Sequence, residues 1–199
     1  MITTLDYKLI LASNSPRRRE LLAGLELNFE VRLIDNIDES YPDTLRGEAI
    51  PRHIAMAKAK AYMPTLASDE LLITADTVVI VDGEVLGKPH TDSEACEMLA
   101  RLAGRTHHVM TGVALTTTTS QRVFVSVTEV DFAPLTTAEI EHYVAVHHPL
   151  DKAGAYGIQE WIGYVGVTGL RGSYFNVMGL PVQRLYTELK SFFNNDEKS

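Results

Sequence analysis

With one cysteine, Cys96, in 199 residues, the chain has no intramolecular disulfide, which removes the stapled folds of small secreted proteins. Cys96 falls inside an apolar helical pattern and reads as a packing residue, not a nucleophile. Long hydrophobic runs are missing too: stretches such as Val78–Val81 fall far short of the roughly 20 residues a membrane helix needs. The opening Met1–Asp6 has neither the basic nor the apolar segment of a secretory leader, so the expected location is the cytoplasm, with no membrane partner. Positive charge is in deficit. Eighteen Lys and Arg against twenty-six Asp and Glu leave a net charge of −8, which argues against a nucleic-acid partner but allows a small anion in a local basic pocket. A Walker A loop and G-x-G-x-x-G are both absent, so P-loop and dinucleotide readings have no support. What is present is an ordinary globular composition, 45% hydrophobic and 22% charged. The length suits one domain over residues 1–199, without internal repeats and with an unstructured tail from about Asn194 to Ser199.

Lys8–Ala12 is a short apolar run that reads as a buried strand. Ser13-Asn14-Ser15-Pro16 then starts a helix, with Asn14 or Ser15 as cap and Pro16 at the first helical position, ending near Gly24. Arg17, Arg18 and Arg19 in its first turn oppose the helix macrodipole unless an anion uses the same field. Further helices follow from apolar spacing over Ile50 to Ala61, around Ala95 to Leu102, Ile140 to His147, and Val182 to Leu189. Thr91 with Glu94, and Thr136 with Glu139, have capping-box spacing. Strands are predicted at Phe29–Ile34, Leu71–Val81, Glu84–Leu86, Thr106–Thr116 and Val123–Phe132, with Asp82-Gly83 as a hairpin turn. The order lacks a clean βαβ rhythm, so an α/β fold with a mixed sheet covered by helices is expected.

Four polar clusters stand out. Ser13-x-Ser15-Pro16-Arg17-Arg18 sits where a strand feeds a helix, a setting in which amides and guanidinium groups hold phosphate, although a capped helix with a solvated Arg face would look the same. Asp76, flanked by Leu71–Ile73 and Val78–Val81, is costly to bury without a partner, which points to a strand end, a bulge or a metal. Beside phosphate-binding groups, such a carboxylate serves as magnesium anchor or water-orienting base. Gly87-Lys88-Pro89, with Lys58 and Lys60 as helpers, offers compact positive charge, though surface lysines are commonplace. Asp151–Gln159 contains small residues and two glycines that permit close approach of a ligand to the backbone. His107 and His108 alternate across a strand, which is poor chelating geometry, while His147 and His148 complement a helix C-terminus.

Taken in order, Leu11-Ala12-Ser13-Asn14-Ser15-Pro16-Arg17-Arg18, Ala75-Asp76-Thr77-Val78, Gly87-Lys88-Pro89, Gly104-Arg105-Thr106-His107, Asp151–Gln159 and Gly172-Ser173-Tyr174-x-Asn176-Val177-x-Gly179-Leu180-Pro181 resemble the Maf family of nucleotide pyrophosphatases over essentially the whole chain. The resemblance implies an elongated mixed sheet flanked by helices, two lobes with a central cleft, a homodimer, and hydrolysis that depends on a divalent cation, magnesium or manganese. It implies Asp76 as proton acceptor, and Glu39, Lys58 and Lys88 as charged catalytic residues, with Asp76 and Glu39 holding the metal. Ser13, Ser15, Arg17, Arg18, Thr77 and Gln159 become substrate-binding residues, with Arg17, Thr77 and Gln159 linked to base choice. Asp-Lys-Ala-Gly-Ala-Tyr-Gly-Ile-Gln is similar to the branch acting on dTTP and UTP, not the one acting on 7-methyl-GTP. Two positions depart from the pattern: Glu160 replaces a glycine after Gln159, and His148 replaces an acidic residue before Pro149.

The implied reaction moves water onto the α-phosphorus and releases pyrophosphate, a task for cations and a carboxylate without a covalent nucleophile. Two other readings stay open: a nucleotide-binding regulator of septum formation without turnover, and a purine-type ITP/XTP pyrophosphatase.

Overall fold

The computed structural model describes residues 7–196. The chain begins β1 (Lys8–Leu11), α1 (Pro16–Ala23), β2 (Phe29–Val31), α2 (Ala49–Tyr62), β3 (Glu70–Val81), β4 (Glu84–Leu86) and α3 (Asp92–Leu102). It continues β5 (Thr106–Thr116), β6 (Gln121–Phe132), α4 (Thr137–His147), α5 (Trp161–Gly166), β7 (Val167–Arg171), α6 (Tyr174–Val177) and α7 (Val182–Asp196). The strands form one mixed seven-stranded sheet of order β2-β1-β3-β5-β6-β7, with β4 paired to β3. β1 runs parallel to both β2 and β3, whereas β4 on β3 and β7 on β6 are antiparallel. The mixed sheet expected from the sequence is therefore present.

The chain divides into two compact units. The first comprises the chain up to Asp76, Thr111–Ser126 and the chain from Gly179 onward; the second comprises Thr77–Met110 and Val127–Met178. In the first, Ile10 and Leu72 of neighbouring strands pack with Ala55, Ala59 and Tyr62 of α2 and with Ala114. Two contacts fix the placement of α2. Thr74 donates its hydroxyl to the Ala55 carbonyl at 2.8 Å, and Gly112 lies so close that a Cβ there would sit 2.3 Å from the Pro51 carbonyl oxygen. Only glycine permits that approach. In the second unit, Val79, Val81 and Leu86 pack with Leu99 and Leu102 of α3, with Ile140 and Tyr143 of α4, and with Tyr156 and Ile158. Cys96 packs against this core as expected, and burial pushes its thiol pKa up.

Local signals mostly hold. Ser15 caps α1 with Pro16 at its first position, and Asp82-Gly83 turns with φ of 51° and 80°. Thr136 and Glu139 make a full capping box. Thr91 accepts from the Glu94 amide, but the Glu94 carboxylate reaches one residue further back to the His90 amide, so the predicted box is half formed. Gly24 keeps a right-handed φ of −63°, and the left-handed turn after α1 falls on Glu26 at 57°. β2 stops at Val31, short of the predicted Ile34, because the Tyr62 hydroxyl from α2 takes over there: it accepts from the Ile34 amide and donates to the Arg32 carbonyl. α5, β7 and α6 were not visible in the pattern, since they are short and punctuated by Gly163, Gly166, Gly169 and Gly172. α7 carries helical backbone through Asp196, and the remainder of the predicted tail lies outside the described residues. No helix among the described residues is long and apolar enough to cross a membrane.

His107 in β5 is fully buried between the rings of Phe132 and Tyr156, with Nε2 2.7 Å from the Tyr156 hydroxyl and Nδ1 without a partner. Burial lowers its pKa from 6.5 to about 4, so it folds neutral. The unfolded chain takes up this proton near pH 6.5 and the folded chain does not, so stability is lost as pH falls from 6.5 toward 4. The loss from this residue reaches at most about 3 kcal/mol. In the first unit, Arg32 grips Glu70 with two hydrogen bonds of 2.8 and 2.6 Å and holds its carboxyl at about 2, a contribution lost only between pH 4.5 and 2. Denaturant titrations at pH 7, 5.5 and 4.5 will show stability falling across the His107 window, and His107→Gln will flatten that segment of the profile.

Candidate active site

β3 delivers the central carboxylate. Of its twelve residues, only Asp76 and Thr77 are not buried, so the strand opens to solvent at a single step. Asp76 is not at a strand end, one of the places the sequence allowed; it lies inside β3, and its partner comes from α2. Lys58 places Nζ 2.9 Å from Asp76 Oδ1 and 3.1 Å from Glu39 Oε2. The side chains of Lys58 and Asp76 are 12% and 13% exposed and that of Glu39 is 49% exposed, so the chain of charges runs from near the core to the surface. Lys58 reaches this point because Ala55 and Ala59, on either side of it in α2, face the core. Lys60 does not join them; it lines a surface pocket with His53 and Ala57.

The loop between β1 and α1 supplies the second group of this unit. Ser13 is buried and its hydroxyl accepts from the Ser15 amide at 3.2 Å, while the Ser15 hydroxyl accepts from the Arg18 amide at 3.4 Å. Both serines therefore shape the turn that starts α1. Arg17 is half-buried in the first turn of α1. Arg18 folds back into the protein, donating from Nε to the Gly179 carbonyl at 2.8 Å and from Nη1 to the Ala75 carbonyl at 2.9 Å. Burial lowers the Arg18 pKa, and the negative charge of Asp76 works in the opposite direction. Arg18 thus ties α1 to the residue just before Asp76, a link that sequence spacing did not reveal.

The second unit holds the other predicted residues. Thr77 follows Asp76 directly in β3. Lys88 is exposed in the loop after β4 and makes no ion pair among the described residues; the neighbouring Gly87 carbonyl accepts from the Gly154 amide at 3.0 Å. Gln159 is half-buried, and its Oε1 is sealed from solvent without a partner. The Gly172–Pro181 motif is explained structurally: Ser173 caps α6, and buried Asn176 donates to the Val109 carbonyl and the Thr128 hydroxyl at 3.0 Å each. Its signal in the sequence was the run of small residues, which gave no hint of these partners.

Among the described residues, no group of three or more His, Cys, Asp and Glu forms a complete metal cage. Asp76 and Glu39 on one lysine still suit a magnesium-type ion, which takes one or two protein carboxylates and completes its shell with phosphate oxygens and water.

The model of the family described as Maf-like protein matches residues 8–192. The chain belongs to the Maf family. It is 62% identical over 184 residues to a dTTP/UTP pyrophosphatase of Phocaeicola vulgatus, covering 92% of this chain and 95% of that protein. It is 56% identical to a dTTP/UTP pyrophosphatase of Bacteroides fragilis, covering 96% and 99%, and 44% identical to one of Flavobacterium psychrophilum, covering 92% and 94%. A HAM1 protein from Coxiella burnetii superposes with a TM-score of 0.50 at 18% identity, covering 93% of this chain and 99% of that one, and shares the α/β fold.

In this Maf chain the double donation by Arg18 requires a planar fork, and lysine cannot serve two carbonyls in those directions. Arg18→Lys will lower stability by about 1–3 kcal/mol, the typical cost of a lost charge-assisted hydrogen bond. A depressed thermal midpoint with folded far-UV circular dichroism will mark the change.

Proposed function

We propose that this chain hydrolyses dTTP and UTP to their monophosphates and pyrophosphate, in the cytoplasm, as a homodimer and with bound magnesium or manganese. The observation that carries the proposal is the Asp76–Lys58–Glu39 chain at the one open step of β3, in a Maf protein whose relatives are named dTTP/UTP pyrophosphatases. The exposed Tyr164, Tyr174 and Phe175 of the second unit offer apolar surface for a dimer.

Asp76 accepts a proton from the attacking water as its oxygen bonds to the α-phosphorus. The bond from that phosphorus to the bridging oxygen breaks, and pyrophosphate departs with the bonding pair. Lys58 holds Asp76 by Oδ1 at 2.9 Å and so orients it, which a base within hydrogen-bond reach of water requires. Arg17, Lys58 and Lys88 neutralise charge on the phosphate oxygens, and Arg18 adds its charge while its Nε and Nη1 hold Gly179 and Ala75. Ser13 and Ser15 shape the turn that presents these arginines. A divalent cation on Asp76 and Glu39 would supply further positive charge and acidify water. Catalysis needs a base where binding needs only cations, so Asp76 favours turnover over a purely regulatory role.

Asp76→Asn will keep the fold and lose ~10²–10⁴-fold in kcat, the usual range for a missing general base. The native protein will release pyrophosphate and no orthophosphate in an assay without added pyrophosphatase, and excess chelator will stop it. Near-normal turnover by the variant would return Asp76 to a structural role.

For specificity, Thr77 assists Gln159, whose carboxamide offers a donor and an acceptor to the carbonyl and N–H edge of a uracil-type ring. A mismatched base leaves buried polar groups unpaired, at roughly 5- to 150-fold in kcat/KM. UTP and dTTP will therefore outrank CTP and GTP, and Gln159→Ala will compress the ranking. A native preference for GTP, or an unchanged ranking in the variant, would overturn the assignment.

A further inference from the structure

We propose that Tyr143, Lys152 and Glu160 form a positioning clamp that sets the pose of Gln159 and so tunes discrimination among pyrimidine bases. The proposal rests on the base-reading role of Gln159 argued above. Tyr143 comes from α4, is fully buried, and uses its hydroxyl twice: it accepts from the Gly157 amide at 3.0 Å and donates to Glu160 Oε2. One phenol therefore joins both ends of the tetrapeptide that carries Gln159. The second Glu160 oxygen meets Lys152 Nζ at 3.2 Å, and the same ammonium binds Asp151 Oδ1 at 2.7 Å. The Lys152 side chain is only 8% exposed, so both oxygens of Glu160 are engaged largely out of solvent.

Gly157 shows how closely the segment is folded. A Cβ there would lie 2.8 Å from the Glu160 carboxyl carbon and 3.0 Å from Gln159 Nε2. The side chains of residues 159 and 160 thus lean back over residue 157, and the Glu160 amide closes the turn onto the Gly157 carbonyl at 2.9 Å. Gln159 Oε1 itself has no partner, so its carboxamide depends for its pose on the groups on either side. Burial and the Glu160 carboxylate raise the Tyr143 pKa, which keeps the hydroxyl protonated as the donor this arrangement requires. The position after Gln159, where a glycine could not supply a carboxylate, is the one that makes the clamp possible.

The test is steady-state kinetics on UTP and CTP for the native protein, Tyr143→Phe, Glu160→Gln, Gln159→Ala and the Tyr143→Phe/Gln159→Ala pair. Tyr143→Phe keeps the buried ring, and Glu160→Gln keeps the shape and an acceptor for Tyr143 while losing the charge that holds Lys152, so one tests the clamp if the other folds poorly. In Tyr143→Phe the ratio of kcat/KM for UTP over CTP will fall roughly 5- to 20-fold, mostly through KM for UTP, because a displaced polar group is lost from base recognition. Glu160→Gln will lower the ratio in the same direction. The double variant will discriminate no worse than Gln159→Ala alone, since the clamp acts only through that side chain. If Gln159→Ala collapses the ratio while both clamp variants preserve it, or if they slow UTP and CTP equally, the clamp is refuted and the loop contacts are purely structural. If Gln159→Ala leaves the ratio intact, the base-reading role fails and takes the clamp with it.

Discussion

A carboxylate in the middle of a buried strand is the constraint around which the first unit is organised. Asp76 interrupts a run of apolar side chains in β3, and an ionised carboxylate there needs a cation close at hand. Lys58 meets the need, and its reach depends on α2 lying against the sheet at one height. Gly112 allows the first turn of that helix to approach β5, and Thr74 pins its Ala55 carbonyl. Arg18 secures the same stretch of β3 through the Ala75 carbonyl. Packing contacts with no chemistry of their own thus determine where a reactive group stands.

The second unit solves a related problem with neutral and charged partners in series. The loop that bears Gln159 is anchored in the core by Tyr156 and Ile158, and a buried hydroxyl, an ammonium and a carboxylate hold its polar end. Such networks stabilise only when every member is satisfied, which makes their geometry specific. His107 is the contrasting case, an imidazole kept neutral by burial, with one nitrogen bonded and the other unpaired. It contributes packing at neutral pH and becomes a liability in acid.

Much of the fold was legible in the sequence because its signals are local. Ser15 and Pro16 start a helix by satisfying or lacking an amide within one turn, and the 3.6-residue spacing of Ile50, Ile54 and Ala55 marks a buried face wherever the helix goes. β2 ended early and α5, β7 and α6 escaped notice because their boundaries depend on remote groups or on segments too short to show a period. Asp76 was recognisable as anomalous from its apolar neighbours alone, yet those neighbours could not say whether a strand end, a metal or a lysine resolved the anomaly.

By itself the sequence determined the class of fold, the elements with strong caps and periodicity, and the order of motifs that places the chain in the Maf family. Only the tertiary structure decided the partners: Lys58 for Asp76, the Gly179 and Ala75 carbonyls for Arg18, and Tyr143 and Lys152 for Glu160. Caps and periods act over one or two turns and are written in residue spacing. Partner choice across 8 to 161 residues is set by how the elements pack, which no local pattern encodes.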